Sequence, residues 1–525
     1  MKRKVSLNPI GPTVTTMFRK GLHMKKIKIT IVISFILAAA GTLFYLLWAY
    51  GAFLPRWISW NHATFSDRSG NYEITLARRS VSVYNDGSLL WSSPAEIKVQ
   101  DALSLDIDND KEDELVLLCW KKGRYADYRP FWVKTDEQTW SQHLFVYEYS
   151  AEEVRPKWMS SYLGQDIAEI TAGGSEKTYY RLLFTDLDGN YSSWRWDAWG
   201  FTKENTDVSF VVFGDNLIHE PIYRYGLEQD TSFNFLFENI KDTIAASDIA
   251  IINQETPFTD DPAKYSDYPR FGTPLEVGRS IVNAGFDAVT CATNHALDLG
   301  QDGINTTKTF FDDNTILCLG IQTASEQDYC PYITMMRNGI RFAFLNYTYG
   351  TNGIALPSEY PHMVHLLDDE AQIKNDILKA KENADFVIVF AHWGTEYAEE
   401  PDAFQQKWTQ VFLESKVDIV IGTHPHALQP FEILTGTDGH KMLIYYSLGN
   451  YISSQSEKSC VKGGMASFTV SLTPNGYHIT KCTLSPLCIT WQKGGKYSTD
   501  FFQGEETLPS ISNPLPARSP SLQYR

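Results

Sequence analysis

A chain of 525 residues is longer than one hydrophobic core usually organises, so at least two folded units are expected. The hydrophobic content of 43% is ordinary for globular protein, and the 14% aromatic content, with 14 tryptophans, excludes a largely disordered chain. The formal net charge of −17 is unevenly placed: residues 1–28 carry eight basic side chains and no acid, leaving about 25 net negative charges on the remainder, which excludes nucleic-acid binding through a general basic field.

Residues 1–28 read as a basic cytoplasmic tail. Ile29 to Leu54 is a 26-residue run without a charge, long enough to cross a hydrocarbon core of about 30 Å. It reads as a transmembrane signal anchor over 29–54. The basic flank on its N-terminal side places the tail in the cytoplasm and residues 55–525 outside a cell membrane crossed once. The small residues around Ala49-Tyr50-Gly51 leave a cleaved signal peptide as the alternative; against it stands the length, since signal h-regions are about 7–15 residues. A start at Met24 would change only the tail.

Residues 55–200 show short strands separated by polar turns and a weak internal repeat, with Val81–Gly123 echoed by Phe145–Phe201. Each copy has a strand, a turn, a tryptophan (Trp91, Trp158), then an Asp-rich turn before another strand. The pattern resembles FG-GAP/VCBS β-propeller repeats, although about 145 residues do not close a ring of blades, and a small β-sandwich is the alternative. Asp106, Asp108, Asp110 and Glu114 can turn several oxygens toward a Ca²⁺ ion, as can Asp186, Asp188 and Asn190. A solvated acidic turn uses the same residue types. Seven cysteines without a CxxC pattern argue against a disulfide framework or structural zinc, leaving a Cys482–Cys488 pair or buried thiols.

From 205 to 495 apolar, β-branched runs such as VSFVVFGD, DFVIVFAHWG and DIVIGTHPH alternate with amphipathic stretches such as DDEAQIKNDILKAKENA. Strand–helix alternation predicts an α/β sheet with helices on its faces. The Pro- and Ser-rich segment 505–525 reads as a disordered tail.

Six strand ends carry side chains suited to a metal: Gly214-Asp215, Asn253-Gln254-Glu255, Asn294-His295 with Asp298, His392-Trp393-Gly394, His424-Pro425-His426, and Ser447-Leu448-Gly449-Asn450. Imidazole with carboxylate and amide oxygen suits one or two divalent transition ions, Mn, Fe, Zn or Ni. A single histidine at a strand end is most often structural; the ordered series is the signal.

The series GDNLIH, NQE, ATNHALDLG, AHWGTEY, GTHPHALQP and YYSLGN resembles the CapA (poly-γ-glutamate capsule biosynthesis) family across about 290 residues. That family is similar to calcineurin-like metallophosphoesterases. The resemblance implies a four-layer αββα fold with a two-metal centre. It implies Asp215 and His426 as ligands of one metal, Asn294, His392 and His424 as ligands of the other, and Glu255 in the bridging position. It also implies His295 as general acid, with Asp298 orienting its imidazole.

Two departures bear on the metal count: Leu217 stands where the phosphoesterases have a histidine, which His219 could replace, and Glu255 replaces a shorter aspartate. Arg270, Trp393, Glu396 and Asn450 are candidate substrate contacts, Arg270 through bidentate binding of a carboxylate or phosphate. Ser447 and Gly449 are expected to shape the loop. The resemblance implies a surface metallohydrolase in biosynthesis or export of an anionic cell-surface polymer, alongside other capsule synthesis or export proteins. A non-catalytic polyglutamate-binding module is the alternative.

Overall fold

The computed structural model describes residues 14–502 other than 126–130, 176, 230–231, 327 and 493–494, with side chains described from residue 28 onward. The first part of the expected basic tail and the expected tail over 505–525 lie outside the described residues.

The first element is a helix, Val14–Ala49. Its segment Lys28–Ala49, 22 residues, is long and apolar enough to cross a membrane; at 1.5 Å per residue it spans about 33 Å. The helix stops before Gly51, whose backbone is left-handed (φ 73°).

Three four-stranded sheets follow, over Ala63–Ser92, Lys98–Met159 and Ile167–Glu204. Alternation of buried and exposed positions along Tyr72–Ala77 and Ser80–Asn85 turns Ile74, Leu76, Val81 and Val83 inward. These side chains share a core with Leu115, Leu117, Cys119 and Phe145 from the second sheet. The chain divides into two compact units, residues 1–104 with 115–168, and 105–114 with 169–525.

The third sheet therefore groups with the α/β portion, whereas the sequence places a boundary near 200. The reason is a set of contacts across long sequence separation. Buried Arg181 donates from Nη2 to the Gly339 carbonyl at 2.9 Å, Ser175 Oγ donates to Asp385 at 2.6 Å, and Lys177 Nζ donates to the Lys381 carbonyl at 2.6 Å. The two Asp-rich turns of the sequence repeat are not equivalent. The first joins strands one and two of its sheet, the second joins strands two and three.

The α/β portion is built on two sheets. In the larger, Val208–Asn216, Ile249–Gln254, Ala288–Thr290 and Leu317–Leu319 run parallel, and Val208–Asn216 pairs on its other side with the antiparallel strand Lys462–Thr473. In the smaller, Ile340–Thr348, Phe386–His392, Ile419–Thr423 and Lys441–Tyr445 run parallel between antiparallel edges. Strands buried on both faces need continuous apolar runs, as in FVVF and FVIVF. Phe210, Ile251, Phe342, Phe390 and Phe468 fill the space between the sheets.

Leu275–Ala284 and Gly300–Asp313 pack on the outer face of the larger sheet, and Glu370–Asn383 and Ala403–Glu414 on that of the smaller. The order is helix, sheet, sheet, helix, as the family resemblance implies. Local signals fix these helices: Asp369 caps Glu370–Asn383, and Asp402 with Gln405 forms a capping box. All seven cysteines are free. Cys482 and Cys488 lie six residues apart on one strand, Gly476–Trp491, a separation of about 20 Å that rules out their pairing.

Candidate metal centre

The strand directions bring the chemistry to one edge. Asp215 lies at the end of Val208–Asn216, Glu255 follows Ile249–Gln254, His392 closes Phe386–His392, and His424 follows Ile419–Thr423. Ligand sites of open α/β sheets form beyond the carboxyl ends of their strands. At Gly214 a Cβ would stand 1.9 Å from the Gly449 carbonyl oxygen, so only glycine lets the chain at 449–452 approach this strand end.

Glu255, His424 and His426 are buried, and each offers a ligand atom within 4.8 Å of the other two. Both Glu255 oxygens and His424 Nδ1 have no hydrogen-bond partner. A buried carboxylate with no donor carries the full cost of its lost hydration, and a divalent cation is the partner that offsets it. The residues present therefore fit a metal. The backbone adds strain in the same place: His424 and His426 both hold positive φ, 98° and 55°, conformations that persist where the surroundings over-determine them.

The remaining side chains hold these three in position. His426 Nδ1 lies 3.1 Å from Asp215 Oδ2 and 3.1 Å from Asn450 Oδ1, which turns Nε2 toward Glu255 Oε1 at 3.7 Å. Asp215 also accepts from Asn253 Nδ2 at 2.8 Å and from the His424 amide at 3.3 Å. His392 Nε2 meets Asn294 Oδ1 at 2.9 Å, while its Nδ1 meets Thr423 Oγ1 at 3.0 Å. Burial and the neighbouring histidines hold His392 and His424 well below the usual imidazole range, in the neutral form that binds metals. Burial also pulls His426 down, but Glu255 and Asp215 outweigh it and raise the ring to about 9. Burial pushes the Glu255 carboxyl well up.

Beside this cluster, His295 Nδ1 lies 2.6 Å from Asp298 Oδ2, which also accepts the Phe271 amide at 2.8 Å. Phe271 stands edge-on to His295 at 4.7 Å. Asp298 is thus tied to His295 and does not cap the following helix: Gly300–Asp313 has Leu299 at its N-cap with no side-chain bond. A cavity of about 230 Å³ opens onto the pair, lined by Tyr268, Arg270, Asn352, Ile354 and Glu396 among others. Arg270 and Glu396, expected as substrate contacts, face the same space as His295.

Three expectations need correction. Trp393 is fully buried with Trp408 and Phe412, and its Nε1 donates to the Tyr446 carbonyl at 3.0 Å, so it is a core residue and not a substrate contact. Asn450 is also fully buried; it positions His426 and is not open to substrate. His219, at the N-terminus of Glu220–Glu228, accepts from the Ser454 amide at 3.3 Å and packs against Phe271 at 5.3 Å, outside the converging triad. Tyr349 and Asn352 escaped sequence reading, and Asn253 and Thr423 stand in the strand-end series without a role of their own. Tyr349 packs at 4.6 Å against His424, and Asn352 Nδ2 lies 3.4 Å from His295 Nδ1. Their strand-end or glycine-flanked positions were the available signal.

The Asp-rich turn at 106–114 brings Asp106, Asp108 and Glu114 together. Here the chain supplies the donors: the amides of Asp110 and Lys111 bond Asp106, Ile107 N–H bonds Glu114, and Glu112 N–H bonds Asp110. At 186–190, Asp186 likewise accepts the amides of Asp188 and Asn190.

Two face-to-face sheets between helices, with a histidine- and carboxylate-lined centre at their strand ends, define a metallophosphoesterase-like fold. Residues 209–455 match the family model of the bacterial capsule synthesis protein PGA_cap, so this domain is similar to the CapA proteins. It is 28% identical over 268 residues to the capsule biosynthesis protein CapA of Bacillus anthracis, covering 48% of this chain and 61% of that protein. It is 30% identical over 258 residues to the PGA biosynthesis protein CapA of Bacillus subtilis, covering 49% and 65%. The match therefore spans less than two thirds of either relative. Among solved structures, the Haemophilus influenzae NAD nucleotidase is similar at 12% identity, covering 58% of this chain and 61% of that one with a TM-score of 0.35. A hypothetical protein from Thermus thermophilus is similar at 14% identity, covering 53% and 97%, with a TM-score of 0.31.

Proposed function

We propose that this protein is a membrane-anchored, metal-dependent hydrolase of an anionic cell-surface polymer of the poly-γ-glutamate type, or of a phosphate-linked intermediate of it, with its folded units outside the cytoplasm. The observation that carries the reading is the pairing of two unlike features at one strand edge: an unsatisfied triad, Glu255, His424 and His426, and a hydrogen-bonded pair, His295 and Asp298, opening on a cavity. Glu255, His424 and His426 would hold a divalent transition metal, with His392 and Asn294 placed to hold a second. A metal bound there supplies Lewis acidity to a phosphoryl or acyl oxygen and acidifies water.

The chain's own residues do the rest. Asp298 fixes the imidazole of His295 so that it can deliver a proton to a leaving oxygen in the cavity. Arg270 presents a guanidinium to a carboxylate or phosphate of the substrate, and Asp215 and Asn450 keep His426 Nε2 turned inward. The helix Val14–Ala49 anchors the chain.

The test is a phosphodiester and γ-glutamyl hydrolysis assay on the purified full chain in detergent, paired with elemental analysis. His295→Ala is expected to lower turnover by about 10²–10⁴ with metal content unchanged. Metal bound without measurable turnover in wild type or variant would instead support the polymer-holding module.

A further inference from the structure

The first compact unit contains a cleft that the metal site leaves unexplained. About 680 Å³ in volume, it runs into the core of the two N-terminal sheets, where Trp91, Ile97, Phe145 and Met159 line it, and Ala49 from the end of the apolar helix forms part of its wall. Pockets for small organic ligands span about 300–1,000 Å³ and are mostly apolar. This one opens where the helix ends.

The surroundings of that opening are basic and aromatic. Lys122, itself in the lining, places Nζ 3.6 Å over the Trp48 ring, and Trp140 Nε1 donates to the Trp48 carbonyl at 3.2 Å. Arg79 donates to the Gly51 carbonyl at 3.4 Å and stacks at 4.2 Å on Trp60. Lys98 is held below its ordinary range, first by burial and then by Arg79, with Glu96 opposing and Lys122 adding to the shift. Lys98 Nζ donates to the Ala95 carbonyl at 2.7 Å; among the described residues Arg79, Lys98 and Lys122 have no carboxylate partner, and Glu96 is the acid in the cleft lining. A cluster of unpaired cations is out of character for a body with about 25 excess negative charges. Tryptophans at a helix end, with lysine and arginine beside them, are the residue set of a membrane–water interface.

We propose that this cleft binds an anionic lipid of the membrane that the helix enters, its acyl chain lying against Trp91, Phe145 and Met159 and its phosphate meeting Arg79, Lys98 and Lys122. The inference rests on the anchoring reading above. It assigns the N-terminal unit a function of its own, the capture of a lipid or lipid-linked anion at the bilayer surface. A soluble anion would gain nothing from an apolar cleft of this depth.

The test uses the full chain in vesicles containing a phosphatidylglycerol or a phosphatidylcholine whose acyl chain carries a photoreactive diazirine, with cross-linked peptides mapped by mass spectrometry. Labelling of 91–97 and 154–159 is expected with phosphatidylglycerol, several-fold above that with phosphatidylcholine. Each basic residue near an anionic surface is worth about fivefold in affinity, so Lys98→Gln with Lys122→Gln should abolish the headgroup preference. Val154→Trp, which leaves those charges in place, should fill the cleft and remove its label. Label confined to residues 28–49 with both lipids would overturn the lipid site while leaving the anchor standing. Absence of label from both regions would overturn both readings, and loss of cleft label on adding free glycerol phosphate would show a phosphate site in place of a lipid site.

Discussion

Two groups of residues in this chain could each hold an ion, and they differ in the hydrogen-bond donors that reach their carboxylates. At 106–114 the carboxylates of Asp106, Asp110 and Glu114 accept amide protons from their own loop. At the strand edge Glu255 is as buried as Asp106 and Glu114, and neither of its oxygens has a hydrogen-bond donor. In the first group the loop's own amides serve the carboxylates; in the second the rings of His426 and His392 stand 3.7 Å and 3.8 Å from Glu255 Oε1, beyond hydrogen-bond reach. Counting the donors within reach of each oxygen separates the two.

The largest expected effect breaks this contrast at the strand edge. Glu255→Gln and His424→Ala should each lower transition-metal affinity by more than about 100-fold, beyond the 10–100-fold typical of an outer-shell partner. Elemental analysis and calorimetric titration of the full chain would read it. A metal present at 100 times its dissociation constant adds about 2.7 kcal/mol to wild-type stability. Glu255→Gln should lose that increment while the melting temperature of metal-free protein stays within about 2 °C. A metal-free protein strongly destabilised by Glu255→Gln would mean that the carboxylate already has a partner in the fold.

A smaller effect sharpens the same comparison. Asn450 touches the metal triad only through His426 Nδ1, so Asn450→Ala should cost about 10–100-fold in metal affinity. Asn450→Asp, which keeps an acceptor facing Nδ1, should restore most of it. Equal losses in both variants would point to disruption of the Ser453, Gln455 and Cys460 contacts that Nδ2 makes, and would remove Asn450 from the metal's support.

What the sequence reveals of this site follows from how strands work. Residues at the ends of β-branched runs are legible because strand and end are both written locally, and Asp215, Glu255, His392 and His424 all lie there. Trp393 misled because it adjoins His392: successive side chains on a strand point to opposite faces, so the neighbour of a ligand faces the core. Asn253, Thr423 and Asn450 are marked locally as strand-end residues, but their positioning roles are not. Those roles exist only through partners 24–38 residues away. The grouping of the third sheet with the α/β portion is set by contacts such as Arg181 to Gly339, 158 residues apart, where local composition is silent.

The smallest expected effect tests the other side of the comparison. Asp106 accepts the amides of Asp110 and Lys111, the arrangement by which a side-chain carboxylate closes a turn or caps a helix. Replacing such a group by alanine costs about 0.5–2 kcal/mol, and because the donors belong to the loop itself the cost does not depend on an added ion. Asp106→Ala should therefore lower thermal stability by the same few degrees in calcium and in chelator. If the loss appeared only in calcium, the backbone bonds would be secondary to an ion held by Asp106, Asp108 and Glu114. The number of donors within reach of a carboxylate would then not decide which of the two groups holds an ion, since each ionised carboxylate has about four acceptor sites.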